Sequence, residues 1–115
     1  MILNRFDIWI ADMKPSKGTE PGKIRPVVII QNNYLHQRSY PSTIVCPISS
    51  QQEGVSLLRL PIEPSVLNGL EKVSSVIPDQ ITAIDVLRLK HRIGALEPEI
   101  SVKLMESLSF ILDIE

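Results

Sequence analysis

The sequence predicts a mainly β, α+β fold, and three features carry that reading. Short apolar stretches recur through most of the chain, polar segments containing Gly and Pro separate them, and one long stretch at the C-terminus has helical periodicity. A chain of 115 residues with 43% hydrophobic content has enough apolar mass for one core and too little for two. One domain over residues 1–115 is therefore expected.

Phe6, Ile8 and Ile10 alternate with Asp7, Trp9 and Ala11, the period of a strand with one face in the core, and Asp12 to Ser16 ends it. A second strand is expected near Pro26 to Gln31, where the unbroken run Val27-Val28-Ile29-Ile30 implies burial on both faces. Residues 32–42 are polar and without period, and read as a long mobile loop. Thr43 to Ile48 is a third strand, irregular at Pro47 because proline removes a ladder donor. Ser56 to Leu60 and Val73 to Ile77 are further short strands; Asp85 suits the cap of a helical turn through Leu89, and Arg92 to Leu96 returns as a last strand. The C-terminal helix starts at Pro98, has Glu97 and Glu99 at its positive end, and repeats Ile100, Leu104, Leu108 and Ile111 on one face. That stripe suits packing on the sheet; the apolar end Leu108, Phe110, Ile111 and Leu112 also suits a dimer contact.

Composition excludes several classes. No run approaches the roughly 18 apolar residues of a membrane span, and Met1-Ile2-Leu3-Asn4-Arg5 lacks the layout of a signal peptide, so a cytoplasmic protein is expected. The lone Cys46 has no partner for an internal disulfide and sits among apolar neighbours, as a core residue does. A net charge of -1 argues against coating nucleic acid by bulk electrostatics. The charge is uneven, however: residues 1–40 carry six basic and three acidic side chains, and residues 41–115 carry six basic and ten acidic. A local basic region on a near-neutral body fits contact with a few phosphates.

That region centres on Lys17-Gly18-Thr19-Glu20-Pro21-Gly22-Lys23-Ile24-Arg25-Pro26, which leads straight into the second strand. Gly18 and Gly22 allow close backbone approach, Pro21 and Pro26 stiffen the loop, and Arg25 stands at the mouth of a strand that fixes its direction. A guanidinium is planar, permanently charged and able to donate two parallel bonds to one phosphate. From composition alone the same arginine also reads as a solvated edge residue.

His36 and His91 lie far apart, and neither they nor Cys46 form a ligand pair at a metal-site spacing; no nucleotide or dinucleotide fingerprint is present, so no metal or cofactor is expected. What remains is Arg25, loop N–H groups, the hydroxyls of Ser49 and Ser50, and carboxylates such as Glu20 or Asp79. Such a set can cleave RNA without a metal, because the substrate's own 2′-OH supplies the nucleophile. The protein must then orient that hydroxyl, accept its proton, stabilise charge at phosphorus and protonate the leaving 5′-oxygen.

The chain resembles the MazF/PemK-type toxins, the ribonuclease components of bacterial toxin-antitoxin modules. The resemblance runs nearly end to end and is carried by Asp7-Ile8-Trp9-Ile10-Ala11-Asp12, by Gly18-Thr19-Glu20 with Ile24-Arg25-Pro26-Val27-Val28-Ile29-Ile30-Gln31-Asn32, by Ile44-Val45-Cys46-Pro47-Ile48-Ser49-Ser50-Gln51, by Gly69-Leu70-Glu71-Lys72, and by Asp79-Gln80-Ile81 with Ile84-Asp85. It implies a small curved antiparallel sheet or partly open barrel with short helices and a C-terminal helix. It also implies a homodimer whose groove binds single-stranded RNA, cleavage of mRNA or other RNA to 2′,3′-cyclic phosphate and 5′-OH ends, and a cognate MazE-like antitoxin whose C-terminal segment occupies the groove. By the same resemblance Arg25 and Ser49 are catalytic, Ser49 replacing the more usual threonine, with Glu20 and Asp79 as acidic site residues. Lys17, Gly18, Thr19, Lys23, Ser50, Gln51 and Gln80 are the expected RNA-binding positions. Thr82-Ala83 stands where many members have Arg-Thr, and the segment from Asn33 to Ser42 is slightly longer than usual; both differences bear on RNA sequence preference.

A rival within the same architecture is a CcdB-like gyrase poison, which binds protein and does no phosphodiester chemistry. That family ends in Trp-Gly-Ile, whereas this chain ends Leu112-Asp113-Ile114-Glu115 and has its one tryptophan at Trp9. A silent barrel that binds a partner peptide is the third reading, and it gives Arg25 and Ser49 no special role.

Overall fold

The computed structural model describes residues 1–13, 24–50 and 58–114. Its elements are β1 (Asp7–Asp12), β2 (Ile24–Ile29), α1 (Asn33–Gln37), β3 (Ser42–Ser49), β4 (Leu60–Ile62), β5 (Ser74–Val76), β6 (Thr82–Asp85), β7 (Leu89–Ala95) and α2 (Pro98–Leu112). The seven strands form one antiparallel sheet in the order β4-β5-β3-β2-β1-β7, with β6 also on β3. Among the described residues no ladder joins the end strands β4 and β7, so the sheet is open. Register shifts in the β1–β7 ladder, at Ile8/Trp9 and Ile10/Ala11, add twist at that edge.

The central strands are buried on both faces, as the unbroken apolar run in β2 implies. Val28 joins Ile8, Cys46 and Ile48 in a cluster that takes in Leu104 and Leu108 of α2, while Val27 and Ile29 join Trp9, Val45, Ile84 and Leu89 in a second cluster. Of the predicted stripe on α2, Leu104 and Leu108 are buried and Ile100 and Ile111 half-buried, and burying each leucine contributes about 1.5–3 kcal/mol. Cys46 is a core residue, its thiol pushed up to about 12 by burial and then by the charge of Asp79.

Strand β3 is the pivot of the sheet. Its first half pairs with β6 and its last residues with β5, and Pro47 stands where the partner changes. The carbonyl of Pro47 accepts from Ile77 N at 3.0 Å. Carbonyl and nitrogen of one strand residue point the same way, so the missing donor faces this change of partner and leaves the β2 ladder untouched.

Several expectations shift. Phe6 has φ 72° and belongs to the turn before β1. The expected loop after β2 holds a single helical turn, α1: the Asn32 side chain accepts from Tyr34 N at 2.8 Å, and His36 Nε2 lies 2.9 Å from the buried Thr43 Oγ1. Of the strand expected at Ser56 to Leu60, residues 56 and 57 lie outside the described residues, and β4 begins at Leu60. Strand β6, for which no expectation was formed, is held by its pairing to β3, and β7 begins at Leu89, earlier than Arg92. Asp85 does cap a short 3-10 turn, accepting from Leu87 N at 2.8 Å.

Helix α2 begins with Pro98 at a first-turn position and ends where Asp113 turns left-handed at φ 57°. Glu97, just before it, turns its carboxylate to the 63–70 connection, where Ser65 Oγ donates at 2.6 Å and Asn68 Nδ2 at 3.1 Å. Burial opposes its charge, but these bonds and a backbone N–H more than offset it, leaving the Glu97 carboxyl below the usual glutamate value. A lowered folded-state pKa contributes stability that is fully present above the unfolded value and is lost as pH falls through the folded one. Glu97→Gln should therefore lower the melting temperature near neutrality, with a difference from wild type that holds down to the unfolded glutamate value of about 4.3 and shrinks below it; melting curves from neutral to acid pH check it.

Candidate active site

A cleft of about 340 Å³ opens where β2 begins and β3 ends. Its walls are Ile24, Arg25 and Pro26 from β2, Ile48, Ser49 and Ser50 from the end of β3, and Leu70, Glu71, Lys72 and Ser74 from the approach to β5. The β2–β3 ladder pairs Val27 with Pro47 and Ile29 with Val45. Continued outward by two residues, the alternation sets Arg25 opposite Ser49 on the same face of neighbouring strands. On its other flank Ser49 pairs with Ser75 of β5.

Arg25 is half-buried, and desolvation pulls its pKa down from the usual value. A group this basic stays charged, and partial exclusion of water strengthens its field at an anion in the cleft. Its backbone is held on the other side by pairing to Ala11 of β1. Ser49 is also half-buried, and Ser50 is exposed on the same wall. The cleft thus brings a guanidinium and a hydroxyl to one concave surface.

The remaining expected positions divide into two groups. Lys17, Gly18, Thr19, Glu20, Lys23 and Gln51 lie outside the described residues. Asp79 and Gln80 belong to a 3-10 turn, Pro78–Gln80, that leads into β6. Neither is among the residues lining the cleft, and Asp79 forms an ion pair with Arg59 Nη1 at 3.0 Å. Glu71, Lys72 and Ser74 line the cleft without having been singled out as site residues; Glu71 and Lys72 figure in the sequence only within the Gly69-Leu70-Glu71-Lys72 segment of the family resemblance, and Ser74 only within the strand expected at Val73 to Ile77. A larger groove of about 880 Å³ runs along α2, but its lining is mainly apolar, from Phe6, Leu96, Val102 and Met105. Among the described residues no three His, Cys, Asp or Glu side chains gather as a metal site, and no helix is long and apolar enough to cross a membrane.

Residues 4–112 match the family model described as the PemK-like, MazF-like toxin of type II toxin-antitoxin systems. The chain belongs to this family. Endoribonuclease EndoA of Bacillus subtilis is 35% identical, with 97% of this chain and 96% of the relative covered. The probable endoribonuclease MazF of Mycolicibacterium smegmatis is 34% identical over 97% of this chain and 98% of its own. Among solved structures, the Mycobacterium tuberculosis toxin MazF-mt6 is similar with a TM-score of 0.76 and 26% identity, covering 95% of this chain and 98% of its own. MazF of Deinococcus radiodurans shares the fold at a TM-score of 0.84 and 16% identity, with 99% of both chains covered. The protein is thus a toxin of the MazF type, from a family whose curated relatives are named endoribonucleases.

Proposed function

We propose that this toxin is a metal-independent endoribonuclease that cleaves single-stranded RNA, mRNA included, at selected sequences and so inhibits translation and growth. The observation that carries the reading is the placement of Arg25 and Ser49 on adjacent strands facing one cleft. In this reading the 2′-oxygen attacks phosphorus, its proton passes to a base, the bond to the 5′-oxygen breaks, and that oxygen takes a proton. The products are a 2′,3′-cyclic phosphate and a 5′-OH. Arg25 neutralises the charge that builds on the phosphoryl oxygens, and the Ser49 hydroxyl donates a positioning bond.

Glu20 and Asp79 are the proposed proton-transfer groups. Asp79 serves only by exchanging its ion pair with Arg59 for the substrate. Lys17, Gly18, Thr19, Lys23, Ser50, Gln51 and Gln80 are proposed to bind RNA, and no cofactor enters the reaction. A cytoplasmic homodimer is the proposed working form, and the exposed Phe110 and Leu112 at the end of α2 leave apolar surface that a second copy would cover. Solved relatives include MazE–MazF complexes of Deinococcus radiodurans, which supports a MazE-like antitoxin as partner; its C-terminal segment is proposed to fill the RNA groove, and toxin and antitoxin to bind DNA together. The gyrase-poison reading has no comparable support, since the curated relatives are named endoribonucleases.

The test is cleavage of a mixed-sequence RNA and its DNA counterpart in excess EDTA. Cuts in the RNA alone are expected, while loss of activity with the chelator would overturn the metal-free chemistry. Ser49→Ala should slow RNA cleavage by about 10–100-fold, the worth of one hydrogen bond to a charged phosphate oxygen, at a melting temperature close to that of wild type. A variant that cleaves at the wild-type rate would remove Ser49 from the mechanism.

A further inference from the structure

Lys72 stands on the wall of the cleft with Arg25 and Ser49, and among the described residues no carboxylate forms an ion pair with it. Arg59 and Arg92, by contrast, are paired with Asp79 and Asp7. Ser49 lies between β2, which carries Arg25, and β5, where its partner is Ser75, and Lys72 is three residues ahead of Ser75. Neighbouring strands are about 4.8 Å apart, so the backbones of β2 and β5 stand roughly 10 Å apart across β3. The two cations therefore enter the cleft from backbones on opposite sides of β3.

The chain that carries Lys72 is held unusually firmly for a connection between strands. Asn68 is fully buried; its side-chain oxygen accepts from Ser65 N at 3.0 Å and Leu70 N at 2.9 Å, and its nitrogen donates to Glu63 O at 2.9 Å and to the Glu97 carboxylate. Leu70 is anchored in the core, and the carbonyl of Lys72 itself accepts from Ser74 Oγ at 2.9 Å. Binding an anion would then cost the freedom of the lysine side chain and little of the backbone.

Resting on the nuclease reading above, we propose that Lys72 is a second phosphate-binding residue, gripping a phosphate next to the one that Arg25 serves and so setting the path of the RNA strand through the cleft. Among the described residues, Arg25 and Lys72 are the cations that line the cleft, with Glu71 on the same wall limiting its pull on anions in general. The role is one of binding: Lys72 contributes affinity equally in ground and transition states, so its loss acts on KM and leaves kcat nearly unchanged.

The test measures binding of a fluorescent, mixed-sequence 2′-O-methyl oligonucleotide, which cannot be cut through its own 2′-oxygen, to wild type, Lys72→Ala, Lys72→Arg and Lys103→Ala over a range of salt concentrations. Lys103 is exposed on α2 and does not line the cleft. For Lys72→Ala the Kd should rise about tenfold and the slope of log Kd against log salt should fall by about 0.7, the value for one phosphate contact on a single strand. Lys72→Arg should restore both and Lys103→Ala should match wild type. Cleavage of the all-ribose counterpart should show the same rise in KM at a kcat within about twofold of wild type. Unchanged Kd and salt slope in Lys72→Ala, beside a wild type that cleaves, would sink the role of Lys72 alone. Wild-type protein whose oligonucleotide binding depends on Lys72 but which cuts no RNA would sink the nuclease reading and leave the binding role standing, and wild-type protein that binds no oligonucleotide overturns both.

Discussion

Arg25→Ala should lower RNA cleavage by about 10²–10³-fold, the usual cost of removing one charge-stabilising donor from a phosphoryl or acyl transfer site. The folded chain should survive the change. Arg25 lies at the start of β2 and is only half-buried, while the residues that hold the strand in place are Val27, Val28 and Ile29, each fully buried. Truncation at the strand's mouth leaves that run and its ladders to β1 and β3 unaltered. The melting temperature should therefore stay close to that of wild type, and the loss should appear in the rate. Arg25→Lys separates charge from geometry: it keeps the cation but loses the planar fork, so activity should fall between wild type and alanine. Single-turnover cleavage rates, read beside melting curves, decide the matter; an alanine variant that cleaves at the wild-type rate would leave Arg25 as an ordinary strand-edge residue.

Gly69→Ala should destabilise the protein by about 4 kcal/mol or more, at the upper end of what single substitutions do. Two independent costs add at this position. Gly69 has φ +68°, which a residue with a Cβ adopts at some strain, and a Cβ built there would lie 2.1 Å from the carbonyl oxygen of Ile93 and 2.9 Å from its carbon. The obstacle is backbone of β7, so no side-chain rotation relieves it. The reverse contact is equally tight, since a Cβ on Gly94 would meet Leu67 O at 2.3 Å and the carbonyl carbon of Asn68 at 2.5 Å. Two backbones thus touch without room between them, and Asn68 is pinned beside this contact. Val66→Ala, on the same connection but fully exposed, should change the melting temperature little. Thermal denaturation of both variants checks the contrast, and a Gly69→Ala protein that melts within a degree or two of wild type would contradict the packing described here.

The parts of the fold that could be read from the sequence are those whose burial leaves a periodic trace. The run Val27 to Ile30 and the pair Leu104 and Leu108 each report a face that the chain buries, and each lies where it was expected. In β1 the expected single core face is corrected, because Trp9 and Ala11 are buried in the second cluster while Ile10 is only half-buried, so this strand, too, is covered on both sides. Helix α1 left no such trace, because none of its residues is buried and it is fixed by one cap from Asn32 and by the contact of His36 with Thr43. Strand β6 has Ile84 as its one buried residue, so its extended form follows from a partner forty residues earlier in the chain. The site divides in the same way. Arg25 was visible through the glycines and prolines around it, and Ser49 through the polar turn after an apolar strand. Lys72 carries no spacing that marks it, and it lines the cleft on a connection that Gly69 packs against β7 and Asn68 ties down. The pairing of Asp79 with Arg59, twenty residues apart, is likewise a product of the fold.

The central claim is that the RNA supplies its own nucleophile while Arg25 and Ser49 hold the phosphate. Its most direct test begins by mapping one cleavage site in a synthetic RNA, then replacing only the nucleotide 5′ to the cut phosphate with its 2′-deoxy form. Cleavage at that phosphate should stop, with cuts elsewhere unaffected and the parent RNA ending in a 2′,3′-cyclic phosphate. Continued cutting at the deoxy-substituted position would show that water or a protein group attacks phosphorus, and would contradict the mechanism.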